Sequence, residues 1–142
     1  MKINKKAIAK WSGSLKEGKG SISLESGAFD SQPYGFNTRF EDKPGTNPEE
    51  LIGGAHAACF SMAFSNILGE ENFKPTNIET ECIITLEKQG EGFDITKSHL
   101  KMTATIPDIS KDKFTELANK AKENCPISKV LKTDISMEAT LS

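Results

Sequence analysis

The three cysteines of this sequence lie in different settings, and a thiol can serve as core packing or as a nucleophile. Cys59 lies in LIGGAHAACFSMAFSNILG (51–69), a segment without formally charged residues. Most cysteines in apolar helices are inert packing, so this segment alone favours a structural thiol over a buried reagent. Cys82 lies beside Ile83 in an alternating segment and is interpreted as structural.

Cys125 directly precedes Pro126, and this dipeptide has two interpretations. A cysteine at a helix N-cap can be favoured as a thiolate, because the helix N–H groups point toward the sulfur. The same dipeptide also suits a small residue at a helix break. The residues alone leave both interpretations open.

A long helix is predicted to carry Cys59. Asn47 suits the N-cap and Pro48 the first helical position, and two glutamates follow at the positive end of the helix dipole. The helix is expected to run to Leu68 and to end at Gly69. Because it is small or apolar on nearly every side, it is predicted to be a core helix that another backbone can approach closely.

The remaining segments predict strands and two further helices. Strands are predicted over 7–15, 20–26, 36–41, 77–88, 93–106 and 134–142, a loop over 27–35, and helices over 108–124 and 127–132. Strands that alternate with helices in this order indicate an α+β fold with helices packed on antiparallel sheet. At 142 residues, the chain is predicted to form one domain, 1–142.

Charge and composition argue against several classes of function. The net charge of −2 and the pI near 5.7 indicate no basic surface for nucleic acid or anionic lipid. Only one Trp and one Tyr are available to stack on bases. The segment 51–69 contains Gly, His, Ser and Asn, which favours a buried helix over a membrane span. No signal peptide is recognised, so we expect a cytoplasmic protein with reduced thiols.

Three segments together resemble one known family. QPYGFNTRFE (32–41), GTNPEELIGGAHAACFSMA (45–63) and CPISKVLK (125–132) are similar to the osmotically inducible protein C (OsmC) family. This thiol-peroxidase group also contains the organic hydroperoxide resistance (Ohr) proteins. The resemblance runs essentially end to end at matching spacing. It implies antiparallel sheets packed around a long buried central helix, in an intertwined homodimer.

The resemblance also implies roles for four residues. Cys59 matches the peroxidatic cysteine and Cys125 the resolving cysteine. Arg39 matches the arginine that stabilises the thiolate, and Glu49 matches the carboxylate that holds this arginine. Cys82 has no counterpart. The implied activity is reduction of organic hydroperoxides, and more weakly of hydrogen peroxide, in defence against oxidative or osmotic stress.

Peroxide reduction requires a thiolate, which burial disfavours. A free thiol with a pKa of about 8.5 is only a few per cent ionised at pH 7. Since Cys59 is predicted in mid-helix, no helix end is expected to help. An arginine at about 4 Å in an effective dielectric of about 20 contributes roughly 4 kcal/mol, or about three pKa units. Arg39 is the only arginine of the chain and is therefore the expected cation.

The spacing of the implied site residues predicts a dimer. Glu49 and Cys59 lie ten residues apart, which corresponds to about 15 Å along one straight helix. If Arg39 contacts both, the two groups are expected to come from different chains. The small apolar faces of the helix would allow a second copy to pack there. We therefore expect an obligate twofold homodimer with each site built from both subunits.

The expected cycle needs no metal or other resident cofactor. Cys59 would become a sulfenic acid, Cys125 would condense with it, and an external dithiol, of lipoyl type by extension from the Ohr branch, would reopen the disulfide. His56 and His99 form no metal-ligand pattern. Apolar pocket walls would favour organic hydroperoxides. The candidate pocket residues are His56, Phe60, Leu51, Phe36 and Tyr34, although His56 also suits a satisfied core histidine.

Three other interpretations remain. The chain could be a non-catalytic binding or structural dimer whose cysteines only pack. It could be another thiol enzyme such as a disulfide reductase, although that class is expected to carry a Cys-x-x-Cys pair, which is missing here. A two-cysteine metal site would need additional ligands.

Overall fold

A computed structural model describes all 142 residues, which divide into two compact units, Met1–Leu51 and Ile52–Ser142. The chain forms four helices and two three-stranded sheets, which confirms the predicted α+β class. The assignment of 1–142 as one domain stays a prediction.

The N-terminal unit contains an antiparallel sheet of three short strands in the order β1-β2-β3. These strands are β1 (Ala7–Ser12), β2 (Lys19–Leu24) and β3 (Gln32–Tyr34). The first lies within the predicted strand 7–15, and the second begins one residue before the predicted strand 20–26. The third forms where the sequence predicted a loop, because Gln32 to Tyr34 pair with β2 despite the proline between them.

The strand predicted over 36–41 is wrong, because Phe36–Phe40 forms a short helix, α1. The Gly35 N–H donates to Thr38 Oγ1 at 2.9 Å, and the Thr38 hydroxyl donates to the Gly35 carbonyl at 3.1 Å. The two phenylalanines, four residues apart, pack with ring centroids 4.9 Å apart. Their spacing fits one face of a helix as well as one face of a strand, and the local hydrogen bonds favour the helix.

The long helix α2 spans Pro48–Glu70 and starts as predicted. The Asn47 side chain accepts a hydrogen bond from the Glu50 N–H at 2.8 Å, as an N-cap does. The helix continues beyond the predicted end, since Gly69 remains helical.

Only one side of α2 is buried within the chain. Its buried residues are Gly53, His56, Phe60, Phe64, Ile67 and Leu68. A second stripe, which contains Gly54, Ala58 and Met62, is exposed. By length and composition α2 could cross a membrane, but core helices of soluble proteins have the same properties. The helix therefore has one face in the core and one face of small residues available for another surface.

The C-terminal unit contains a three-stranded sheet in the order β4-β5-β6. Strands β4 (Asn77–Gln89) and β5 (Gly92–Thr105) form where strands were predicted over 77–88 and 93–106, and they pair as an antiparallel hairpin. Strand β6 (Asp134–Leu141) runs parallel to β5. Two helices, α3 (Lys111–Asn124) and α4 (Pro126–Val130), connect β5 to β6, and a parallel pair requires such a crossover.

The core of this unit is built around aromatic and aliphatic side chains that are almost fully buried. Phe64 lies at its centre, stacked on Phe60 and edge-on to Phe114, with both centroid distances at 5.9 Å. Leu68 and Leu100 have no exposed surface. The core thus fixes α2 against α3 and the sheet, which determines where Cys59 lies.

Replacing Phe64 with alanine is expected to destabilise the protein by about 3 to 5 kcal/mol, because the cavity cannot fully collapse. Chemical unfolding monitored by circular dichroism measures this change. Lys120→Ala, at an exposed position of α3, is the control and should change stability by less than about 0.5 kcal/mol. Similar midpoints for the two variants would contradict the described core.

Candidate active site

Cys59, on the partly buried side of α2, is in contact with the side chain of Cys125. Burial raises the pKa of the Cys59 thiol, and its hydrogen bond to Cys125 raises it further. The backbone N–H of Ile127 donates to the Cys59 sulfur, which lowers the pKa in part. The net direction is upward, so these neighbours alone favour the protonated thiol.

Cys125 lies at the junction of α3 and α4 and has no exposed surface. Its N–H donates to the Ala121 carbonyl at 2.9 Å, and its carbonyl accepts from the Lys129 N–H at 3.1 Å. Its side chain makes no capping hydrogen bond. Cys125 thus occupies the N-cap position, while its thiol is directed to Cys59.

The expectation that no helix end helps Cys59 is wrong. The Ile127 N–H belongs to the first turn of α4, a different helix from the one that carries Cys59. The first N–H groups of a helix lack partners within the helix and are free to donate elsewhere. Pro126 indicates in the sequence that a helix starts here, but no local pattern predicts that the N-terminus of α4 faces the Cys59 sulfur.

Arg39 and Glu49 form a close ion pair within the N-terminal unit. Arg39 Nη2 lies 2.6 Å from Glu49 Oε1, and Nε lies 3.2 Å from both carboxylate oxygens. The guanidinium also lies over the Phe40 ring, 5.2 Å from its centroid. The Glu49 side chain is 12% exposed and that of Arg39 is 35% exposed. The pair therefore holds the guanidinium in one orientation while part of it remains accessible.

An apolar cavity of about 300 Å³ adjoins this ion pair. Tyr34 and Phe36, two of the predicted pocket residues, line it together with Arg39 and Phe40. Leu51 is partly exposed on α2. The other two predicted pocket residues, His56 and Phe60, have no exposed surface. Their roles as pocket residues stay predictions.

His56 lies in a buried hydrogen-bond network that the sequence did not predict. Its Nδ1 lies 2.6 Å from Ser98 Oγ, and its Nε2 lies 2.8 Å from Ser128 Oγ. Cys82 Sγ lies 3.2 Å from Ser98 Oγ and 3.8 Å from His56 Nδ1. Burial lowers the pKa of His56 and raises that of Cys82. The imidazole is therefore kept neutral, with both ring nitrogens satisfied, which fits the expectation of a core histidine.

Comparison with known proteins identifies the family. The family described as "OsmC-like protein" matches residues 40–140. The chain belongs to the OsmC family. Peroxiredoxin OsmC of Escherichia coli is 53% identical over 141 residues, which cover 99% of each chain. The organic hydroperoxide resistance protein OhrB of Bacillus subtilis is 29% identical over 123 residues, or 86% of this chain and 88% of the relative.

Solved structures confirm the OsmC-like fold. An OsmC-like protein of Vibrio cholerae superposes with a TM-score of 0.77 at 18% identity, over 97% of this chain and 99% of that one. The crystal structure of Bacillus subtilis OhrB superposes with a TM-score of 0.69 at 26% identity, over 96% and 98% of the two chains. The two sheets and the long helix are therefore those of the OsmC family.

In this OsmC-family chain, the predicted site residues form two pairs. Cys59 and Cys125 are in contact in the C-terminal unit, and Arg39 and Glu49 are paired in the N-terminal unit. No cluster of three or more His, Cys, Asp or Glu side chains is arranged to hold a metal. His99 bonds Ser136 Oγ at 2.6 Å on the sheet and takes no part in either pair.

The buried neutral His56 predicts a specific loss of stability in acid. Its pKa in the folded protein lies below the ordinary value of 6.5, so the unfolded chain binds the proton more readily. The contribution of neutral His56 to the free energy of unfolding is complete above about pH 6.5. It is lost as the pH falls toward the pKa of His56 in the folded protein, by at most about 1.4 kcal/mol per pH unit.

Urea unfolding at several pH values between 7.5 and 5 measures this effect. His56→Gln removes the titrating group and should reduce the slope of the unfolding free energy plotted against pH. An unchanged slope in His56→Gln would mean that another group causes the loss.

Proposed function

We propose that this protein is a cysteine-based peroxidase that reduces organic hydroperoxides to alcohols, and hydrogen peroxide less efficiently, in oxidative or osmotic stress. The contact between the Cys59 and Cys125 thiols in a member of the OsmC family is the observation that carries this proposal. The relatives named peroxiredoxin OsmC and organic hydroperoxide resistance protein support the same chemistry.

In the first step, the Cys59 thiolate attacks the outer oxygen of the hydroperoxide. A sulfur–oxygen bond forms, the oxygen–oxygen bond breaks, and the leaving alkoxide takes a proton and departs as the alcohol. Cys59 is oxidised to the sulfenic acid. Its partial exposure leaves a path for the peroxide.

In the second step, the Cys125 sulfur attacks the Cys59 sulfenic acid. A sulfur–sulfur bond forms, the sulfur–oxygen bond breaks, and water leaves with the Cys125 proton. An external dithiol of lipoyl type then reduces the bridge by two successive thiol–disulfide exchanges. The protein uses no resident cofactor, and we place it in the cytoplasm, where thiol reductants keep cysteines reduced.

The pKa of Cys59 explains why the site needs a cation. Burial and Cys125 together favour the thiol, and the Ile127 N–H offsets only part of this. Arg39 is the only arginine, and Glu49 fixes its orientation. At about 4 Å from the sulfur, it would stabilise the thiolate by roughly 4 kcal/mol at an effective dielectric of about 20.

We further propose that Arg39 reaches Cys59 of a second chain. Arg39 pairs with Glu49 of its own chain, and ten residues of one helix place Glu49 about 15 Å from Cys59 along the axis. The exposed stripe of α2 with Gly54, Ala58 and Met62 offers a face on which a second copy can pack closely. Each dimer would then contain two sites, built from both subunits.

The substrate class follows from the cavity beside Arg39. Its walls are mainly aromatic and aliphatic, with Tyr34, Phe36 and Phe40 among them. An alkyl or aryl group gains free energy on leaving water for such walls, at roughly 25 cal/mol per Å² of buried apolar surface. Hydrogen peroxide has no such group, so organic hydroperoxides are the preferred substrates.

One equivalent of cumene hydroperoxide should convert the reduced protein to a form with a Cys59–Cys125 disulfide, mapped by peptide mass spectrometry. Cys59→Ser should abolish peroxide consumption, and Cys82→Ser should leave the bridge and its rate intact. A bridge that uses Cys82 would contradict the assignment.

The same reaction with hydrogen peroxide should be slower, because the cavity contributes nothing to the binding of hydrogen peroxide. Equal rates with the two peroxides would refute the apolar-pocket argument.

A mixing experiment tests whether each site uses two chains. Arg39→Ala and Cys59→Ser should each be inactive alone. Refolded together, they should regain about a quarter of the original activity, because half of the dimers then hold one intact site. Cys59→Ser mixed with Cys125→Ser is the control and should regain none, since these two residues are in contact within one chain. No recovery in the first mixture would place both residues in the same chain.

A further inference from the structure

The hydrogen bond between His56 and Ser128 joins the same two helices as the two reactive cysteines. His56 and Cys59 lie on α2, and Ser128 lies on α4, which begins directly after Cys125. His56 Nε2 and Ser128 Oγ are 2.8 Å apart, and both residues are buried. Helix α4 is therefore tied to α2 by a thiol contact and by an imidazole–hydroxyl contact.

The two contacts have matching spacing along the chain. His56 lies three residues before Cys59, and Ser128 lies three residues after Cys125. Three residues of helix rise about 4.5 Å, so the second contact lies one turn from the first. Two contacts one turn apart fix both the distance and the rotation of α4 against α2, whereas one contact would leave the rotation free.

The other side of His56 is fixed to the sheet. The Ser98 hydroxyl on β5 is hydrogen-bonded to His56 Nδ1, with Oγ and Nδ1 2.6 Å apart. The same hydroxyl is hydrogen-bonded to the sulfur of Cys82 on β4. In one arrangement that satisfies the network, Ser128 donates to Nε2, Nδ1–H donates to Ser98, and Ser98 donates to Cys82. His56 therefore transmits the position of the sheet to α4.

We propose that His56 is a positioning residue for the resolving step, and that through Ser128 it keeps the Cys125 thiol and the Ile127 N–H at the Cys59 sulfur. This inference deepens the proposed function and rests on it for the physiological oxidant. The hydrogen-bond partners of the His56 imidazole are Ser98, Ser128 and Cys82, not Cys59 or Cys125, so in this proposal it acts through α4.

The chemistry of disulfide closure explains why position matters. Cys125 attacks the Cys59 sulfenic acid, and the new sulfur–sulfur bond replaces the sulfur–oxygen bond with release of water. A pre-aligned neighbour reacts far faster than a mobile one, because the alignment has already been achieved in folding. A slow closure would leave the sulfenic acid open to further oxidation by peroxide. Loosening of α4 should therefore slow closure without slowing the first step.

Ser128→Ala tests the inference with matched controls. The fully reduced protein is mixed with cumene hydroperoxide in the presence of dimedone, which captures sulfenic acid before closure. Mass spectrometry then counts the captured Cys59 and the Cys59–Cys125 bridge. Ser128→Ala should slow closure about five- to tenfold, the equivalent of one lost hydrogen bond. The rate of the first oxidation should change less than twofold.

Ser136→Ala is the matched control, because it removes the hydroxyl partner of the other histidine, His99, and Ser136 lies on β6 rather than on α4. It should leave the ratio of captured to bridged protein unchanged. His56→Gln can place an amide group near the Nε2 position of the imidazole and should keep much of the closure rate of the unmodified protein. His56→Asn reaches only the Nδ1 position and should lose most of it. A merely structural role would lower stability without this difference in closure.

A second measurement avoids peroxide altogether. Oxidised glutathione forms a mixed disulfide on Cys59, and Cys125 then displaces glutathione as its thiolate to form the same bridge. Ser128→Ala should slow this displacement by a similar factor. If the unmodified protein closes with glutathione but does not react with hydroperoxides, the proposed function fails, and the glutathione rates still decide the role of His56.

The inference is overturned if Ser128→Ala and the unmodified protein close at equal rates with glutathione. It is also overturned if Ser136→Ala slows closure as much as Ser128→Ala does. Failure of the unmodified protein to form a Cys59–Cys125 bridge with either oxidant would overturn it together with the proposed function.

Discussion

Contact between two sulfurs from distant parts of the chain is the constraint on which the candidate chemistry depends. Cys59 is carried by a helix that the aromatic core fixes in place, and Cys125 lies where two other helices meet. Neither residue could be placed by local structure alone. The crossover from β5 through α3 and α4 to β6 brings the second sulfur back to the first, so the fold itself aligns the pair.

The same burial that aligns the sulfurs opposes the ionisation of Cys59. Within the C-terminal unit, burial raises the pKa of Cys59, and one backbone N–H lowers it only in part. The only guanidinium belongs to the N-terminal unit and is already paired with a carboxylate. A guanidinium that is paired with one carboxylate keeps further N–H donors, which can also interact with a thiolate. We propose that a second chain supplies the missing charge.

The sequence predicted those features that depend on neighbouring residues. Asn47, Pro48 and the glutamates after them determine the start of α2, and the structure confirms it. The spacing of Phe36 and Phe40 fits both a strand and a helix turn, and the hydrogen bonds between Gly35 and Thr38 decide for the helix, against the predicted strand. The resemblance to the OsmC family supplied the pairing of the cysteines. The Ile127 N–H and the two serines around His56 depend on tertiary packing, which no local pattern encodes.

The two sulfurs of the candidate site differ in exposure, and in the proposed cycle this difference would set the direction of the reductive step. Cys125 has no accessible surface, and its backbone is bonded on both sides to neighbouring helical turns, whereas Cys59 is partly open. In the proposed cycle, an incoming thiolate that opens the bridge would meet the sulfur of Cys59 and expel Cys125 as a thiolate, which then takes up a proton. The reducing partner would thus be joined for a moment to the same atom that first meets the oxidant.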